Sequence, residues 1–307
     1  MQADTTPTLI VITGPTGSGK TALAITLARR LGCDVISADS RQMFKSIPIT
    51  TAAPTADELA AARHHFVGTL ELDAYYSAAQ YEEDCLTLLG ELFSRGRYAV
   101  MCGGSMMYVD AVVRGIDELP TISPDVRADV LAMLEREGLE ALIEWLQQLD
   151  PTYAAEVDPM NTRRVVHALE ICIEAGVPYS TLRTGRAKER PFRVVKAAID
   201  MPREELFARI NTRVERMAAE GMPQEARRVY PLRHLNSLNT VGFKEMFAWI
   251  EGRWDFDTAL ARMAKNTRVY AKKQLTWLRR DPSVIWLDPH SDTPMADQVL
   301  SLAGIQH

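Results

Sequence analysis

Apolar and polar positions alternate in two distinct textures along the chain. The first third carries short apolar runs, TLIVIT (8–13), DVISAD (34–39) and YAVMCGG (98–104), separated by helix-period stretches over Lys20–Leu31 and near 77–94. Strands alternating with helices predict a parallel sheet covered on both faces. After Leu119 the pattern turns to period 3.6 with no strand signal: a Ser123-Pro124 helix start, continuation through Asp150-Pro151, then NTRRVVHALEICIEAG with Gly176 as a stop. RVVKAAIDM (193–201) reads as a strand returning to the sheet, followed by a helix over Arg203–Glu220. A further helix runs from Phe256 to Arg280 without a breaker, and VIWLD (284–288) reads as the last strand. The expected fold is α/β, a parallel sheet with helices on both faces and an inserted all-helical domain. The core takes residues 1–120 and 193–307, and the insertion takes 121–192.

GPTGSGKT (14–21) follows the first strand and opens the first helix, the context required for a phosphate loop of the form G-x-x-x-x-G-K-[ST], and makes the expected sheet P-loop NTPase-like. Gly14, Gly17 and Gly19 let backbone amides turn toward phosphate oxygens, Lys20 adds a point charge, and Thr21 offers a hydroxyl to Mg²⁺. Pro15, Thr16 and Ser18 complete the loop. The motif does not define the reaction, because ATPases, GTPases and kinases share it. The chain has no NKxD guanine signature and no apolar strand ending in paired acidic residues, so the guest need not be a nucleoside triphosphate. In VISADSRQ the alternation ends at Asp39, at a strand's carboxyl end, where open α/β sheets bind ligands. A carboxylate there can hold a metal through water, accept a proton, or simply cap a turn.

Composition changes this picture in few places. A chain of 307 residues suffices for one large core or two smaller ones. Cys33, Cys85, Cys102 and Cys172 lie far apart with no CxxC pair, so neither a metal knuckle nor a disulfide framework is suggested. His64-His65 are adjacent, and on a strand they would point to opposite faces, which disfavours a shared metal and favours a structural or loop role. MQADTTPTL lacks a basic and then apolar leader pattern, and no run approaches the roughly 20 apolar residues that cross a bilayer. A cytoplasmic location with no membrane partner is therefore expected. Net charge is −5, yet RVYAKKQLTWLRR (268–280) carries Arg268, Lys272, Lys273, Arg279 and Arg280 and no acidic residue. On a helical wheel Lys265, Arg268, Lys272 and Arg279 share one stripe, with Leu260, Ala264, Ala271 and Leu278 opposite. Tyr270 and Trp277, on the flank, read as core-packed residues. Such a stripe is either a solvated face or a track for nucleic-acid phosphates.

GPTGSGKT, ISADSRQMF, HHFVGTL, YSAAQYE, GGSMMY, PDVRADVL, NTRRVVHALE, INTRVERM, TVGFKE and NTRVYAKKQLTWLR stand in the order and spacing of one family. Over almost its whole length the chain resembles the bacterial tRNA dimethylallyltransferases, also called tRNA isopentenylpyrophosphate transferases. The resemblance implies transfer of a dimethylallyl group from dimethylallyl diphosphate to N6 of the adenosine 3′ of the anticodon, in tRNAs reading codons that begin with U. The phosphate loop then holds a diphosphate leaving group, with Mg²⁺ as cofactor and Thr21 as its protein ligand, in a monomer whose insertion grips the anticodon stem-loop. Asp39 matches the family's general base, Thr16 and Arg213 complete the catalytic set, and Gly14–Thr21 hold the diphosphate.

Further residues align with the family's tRNA-contacting segments. Near the first strands these are Asp39, Ser40, Arg41, Gln42 and Ser105, and in the insertion Arg127, Arg163, Arg164, Val165, Val166 and His167. Toward the C-terminus they are Asn239, Thr240, Val241, Gly242, Phe243 and Lys244, then Lys272, Lys273, Gln274, Leu275, Thr276, Trp277, Leu278 and Arg279. Val165 and Val166 read equally as core, and the arginines as solvated helix faces. The chain departs from the family at several positions. It has Phe44 and Phe243 where the family has Tyr, leaving rings for stacking, and Ser105-Met106 for Thr-Gly. It also has Thr50-Thr51-Ala52-Ala53-Pro54 for Gly-Thr-Ala-Lys-Pro, and His167 for Arg. Competing readings are a P-loop kinase, an isopentenyltransferase acting on free adenine nucleotides, and a non-catalytic RNA-binding P-loop protein.

Overall fold

The computed structural model describes residues 6–305; residues 1–5, part of the stretch read for a leader, lie outside them. Six strands form one parallel sheet in the order β3-β2-β4-β1-β5-β6. They are β1 (Thr8–Thr13), β2 (Val35–Ser37), β3 (His64–His65), β4 (Tyr98–Cys102), β5 (Arg193–Ile199) and β6 (Ile285–Leu287). β1 is central and buried at all six positions, as a strand covered on both faces must be. Its alternate residues feed two cores. Ile10 and Ile12 pack with Leu23, Ala24 and Leu27 of α1 (Lys20–Leu31) and with Leu206 and Ile210 of α9 (Arg203–Ala219). Leu9 and Val11 pack with Tyr81, Cys85 and Leu89 of α3 (Ala78–Arg95) and Val109 of α4 (Met106–Arg114).

Parallel pairing puts every strand's carboxyl end on one edge, so the phosphate loop, Ala38-Asp39 and Gly103-Gly104 emerge side by side. The approach is close enough that a Cβ on Gly103 would lie 2.1 Å from the Ala38 carbonyl oxygen. Only glycine leaves room for β2's exit beside β4's. A third cluster beyond the sheet joins α9 to α10 (Met222–Val229), α11 (Phe243–Ile250) and α12 (Phe256–Leu278). α2 (Ala56–Ala61) and α13 (Met295–Leu302) complete this unit.

The helical excursion is a compact unit over 114–189, with the sheet unit comprising 1–113 and 190–307. These limits replace 121–192. Lys188 N–H donates to the Arg114 carbonyl at 2.7 Å, closing the base of the helical unit. Arg190 belongs to the sheet unit, donating to Ala111 O and Val112 O and pairing with buried Glu82 at 2.6 Å. Within the excursion, α5 (Pro124–Leu149) packs on α7 (Thr162–Ala175) through Val130, Leu142, Leu146, Val165 and Leu169. α6 (Pro151–Glu156) and α8 (Tyr179–Leu182) are tied by Asp150, whose carboxylate caps Tyr153 N–H and accepts from Ser180. The single helical run expected before Asp150 is broken at Gly138, which has φ 85°. Ser123 caps α5, and Gly176 ends α7 in the left-handed region.

Candidate active site

The β1–α1 turn forms the loop expected of GPTGSGKT, with Gly14, Gly17 and Gly19 all at positive φ. Lys20 Nζ donates to the Pro15 carbonyl at 2.8 Å, folding back over its own loop. Desolvation of its ammonium, reinforced by Arg213 and opposed by Cys102 and Asp39, lowers its pKa to about 8. Arg213, on α9, donates from Nη1 to Thr16 Oγ1 at 3.1 Å. Burial lowers its pKa too, while Asp39 opposes the shift. Two cations of the loop region thus lack a full anionic complement, the condition under which an entering diphosphate gains most.

Asp39 follows β2. Its Oδ1 accepts from the backbone N–H groups of Arg41 (2.9 Å) and Gln42 (3.4 Å), an Asx turn that fixes the carboxylate at the sheet edge. Ser105 Oγ accepts from Ser40 N–H at 2.9 Å and donates to Ser40 Oγ at 3.1 Å. The hydroxyl that stands for the family's threonine therefore holds the Asp39 turn. Arg41 Nη1 donates to Asn236 O and Ser237 O, and Gln42 Nε2 to Ala52 O.

These groups line a cavity of about 270 Å³ with Thr16, Asp39, Ser40, Arg41, Ser105, Arg213 and Tyr270 as polar walls. Ile210, Val214, Met217, Val241 and Met263 make an apolar wall, and Thr50, Thr51, Thr240 and Thr267 add hydroxyl-bearing side chains. The combination suits a ligand with an anionic head and a short apolar body. The Tyr270 hydroxyl donates to Gly104 O at 3.3 Å and stays protonated, since burial raises its pKa to about 12. Glu225, 1 % exposed, accepts from the N–H groups of Ile49 and Thr50 and pins that wall.

Magnesium fits the donor set. Among the described residues no cluster of three His, Cys, Asp or Glu could cage a metal. Mg²⁺ takes hard oxygen ligands and retains water beside substrate phosphates, so it needs no such cluster. The Thr21 hydroxyl beside the Cys102 thiol is a ligand of the right kind. His64 and His65 diverge, to Ala62 O and Asp34 respectively.

The model of the family described as IPP transferase matches residues 42–281. The chain belongs to the IPP transferase family. It is 50% identical over 281 residues to a protein of Parabacteroides distasonis named tRNA dimethylallyltransferase 2, covering 92% of this chain and 94% of that one. The crystal structure of a tRNA isopentenylpyrophosphate transferase from Bacillus halodurans is 34% identical, covers 97% of this chain and 94% of its own, and superimposes with a TM-score of 0.69. A eukaryotic dimethylallyltransferase described as acting on tRNA is 25% identical, with coverage of 97% and 79% and a TM-score of 0.84.

Not every expected contact of this IPP transferase is open to RNA. Phe243 is 0 % exposed and stacks at a tilt on Phe247, so its ring is closed to a base. Val165, Gly242, Gln274 and Leu278 are likewise buried, and Leu275 packs on the sheet core, because each falls on the inward stripe of its helix or turn. Val166 packs partly against the helical unit's core. Asn239, Lys244, Arg163 and Arg164 are exposed. Arg127 pairs with buried Glu170 at 3.3 Å, and partial desolvation, opposed by Glu170, holds the neighbouring His167 imidazole below its ordinary pKa.

On α12 the cationic stripe is exposed at Lys265, Lys272 and Arg279. Trp277 and Tyr270 correct the core-packed expectation: they are 45% and 43% exposed. Trp277 bonds Asp110 through Nε1 and, with Lys272, Lys273, Thr276 and Arg280, borders a shallow surface depression. Sequence reasoning missed the cavity face of α12. Met263, Thr267 and Tyr270 recur there at helical spacing, and Thr267, polar beside the apolar stripe, was its legible signal. Glu225 left no such sign.

Proposed function

We propose that this IPP transferase family member transfers a dimethylallyl group from dimethylallyl diphosphate to N6 of the adenosine 3′ of the anticodon, in tRNAs that read codons beginning with U. The observation that carries the reading is the convergence of Thr16 of the phosphate loop, Arg213 and Asp39 on one cavity with an apolar wall. The target base leaves the loop stack, which is easiest for an unpaired nucleotide. N6 forms a bond to C1 of the donor as the C1–oxygen bond breaks, and the electron pair departs with the diphosphate. Lys20, Arg213 and the loop amides receive that charge. The amine nitrogen becomes strongly acidic as it gains its fourth bond, and Asp39 takes the proton. The Thr21 hydroxyl would hold Mg²⁺, which when bound would supply further neutralisation of the leaving group. Walls that exclude water protect the allylic centre from hydrolysis.

The exposed cations of α12 track tRNA phosphates, and the 114–189 unit adds Arg163 and Arg164 in gripping the anticodon stem-loop. The protein works as a cytoplasmic monomer. The test is incubation with unmodified tRNA, Mg²⁺ and labelled dimethylallyl diphosphate, with ATP as the alternative donor. Label enters RNA on this account; unlabelled RNA alongside phosphate release from ATP would favour a kinase.

A further inference from the structure

Gln274 lies in the most cationic stretch of α12, between Lys273 and Leu275, yet it is 3 % exposed. Both ends of its amide are engaged. Oε1 accepts the Thr16 N–H at 2.8 Å, and Nε2 donates to Gly104 O at 2.9 Å. Tyr270, one turn earlier, donates to the same carbonyl. A Cβ on Gly104 would stand 2.4 Å from Nε2, so the joint closes only over a bare backbone. Thr16 is therefore held from two sides, its N–H by α12 and its Oγ1 by Arg213 of α9. Among the described residues no other side chain bonds the Thr16 amide, and no backbone carbonyl accepts from it.

We propose that Gln274 is a positioning residue: its carboxamide carbonyl sets Thr16, and through Thr16 the Arg213 guanidinium, where the leaving diphosphate is received. The proposal rests on the transferase reading above and adds a residue that touches neither substrate. It also explains why a glutamine occupies a buried position on a helix whose other inward residues are apolar. An unpartnered Thr16 N–H would leave Thr16 held by Arg213 alone, free to move with it when the diphosphate arrives.

Two variants separate positioning from packing. Gln274→Met keeps volume and burial but removes the acceptor. Gln274→Glu keeps an acceptor when ionised and, once protonated, also restores a donor toward Gly104 O. Positioning predicts that Met lowers kcat at least tenfold with the tRNA KM within about twofold of wild type. It predicts that Glu regains turnover as pH falls, judged as the ratio of Glu-variant to wild-type kcat so that the pH dependence common to both proteins divides out. Pyrophosphate titration of the same three proteins reads the loop without turnover and should give the order wild type, Glu at low pH, Met. A packing role predicts the reverse, since Met suits a buried site better than a carboxyl group. Met equal to or better than Glu in both affinity and kcat, with a flat ratio against pH, would overturn the proposal. If wild type transfers no label, the transferase reading fails, and the pyrophosphate order still decides the role of Gln274.

Discussion

Lys20 gives the account a quantitative handle. Its ammonium is enclosed by the phosphate loop near Arg213, which brings its pKa from 10.5 to about 8. The charged fraction is then roughly nine-tenths at pH 7 and about one-tenth at pH 9. A bound diphosphate needs the charged form, so each binding event above pH 8 must draw a proton onto Lys20. Dimethylallyl diphosphate is fully ionised across this range, and its affinity should fall about tenfold between pH 7 and pH 9, equivalent to ~1.4 kcal/mol. Calorimetric titration without tRNA at constant ionic strength measures the affinity, and buffers of different ionisation enthalpy count the protons taken up. Lys20→Met should bind weakly and lose the pH dependence. The free protein shows the opposite sign: the unfolded chain keeps that proton up to 10.5 and the folded chain only to about 8, so stability rises with pH between those values. An affinity flat from pH 7 to pH 9, or one falling only near 10.5, would refute the reasoning.

Three further outcomes follow from the same geometry. Asp39→Asn keeps the acceptor for the Arg41 and Gln42 N–H groups but not the base, so single-turnover label transfer should slow by about 10²–10⁴ while diphosphate affinity holds; a rate within threefold of wild type would remove Asp39 from the chemistry. Lys272→Glu with Arg279→Glu should weaken tRNA binding and lower the slope of log affinity against log salt by roughly 1.5, read by filter binding across salt concentrations, with diphosphate binding unchanged. Gly103→Ala forces a methyl against Ala38 O and should cost about 1–3 kcal/mol in urea unfolding, together with activity, because the Asp39 turn must shift; an unchanged midpoint would show that the strands part freely.

Long periodic elements were legible, as were the short apolar strands β2 and β6, whereas several other short elements were not. TLIVIT, Lys20–Leu31 and the run from Arg203 stood out by their apolar pattern, and the structure keeps their limits to within a residue. β3 has only two residues and shows itself only by pairing with Val35 and Ile36, while α10, α11 and α13 span eight residues each. Such lengths carry too little pattern to compete with turn readings. The helical unit was readable as helices, yet its limits depend on Lys188 and Arg190 choosing different partners, which no local signal encodes. In the site, the phosphate loop and Asp39 were visible as motifs. Phe243 and Gln274 were misjudged because a motif reports which segment approaches a ligand, and burial decides which side chains face it. Tyr270 erred the other way: an aromatic flank read as core is half-exposed and borders the cavity.

The central claim is that the loop-bound diphosphate is a leaving group and that the acceptor is one adenosine of tRNA. Digesting product tRNA to nucleosides, after reaction with labelled dimethylallyl diphosphate, tests it most directly, with free AMP supplied as a competing acceptor. The account predicts label confined to N6-(dimethylallyl)adenosine, mapping 3′ of the anticodon, with AMP unmodified. Label on AMP, at another nucleoside, or nowhere in the RNA would contradict it.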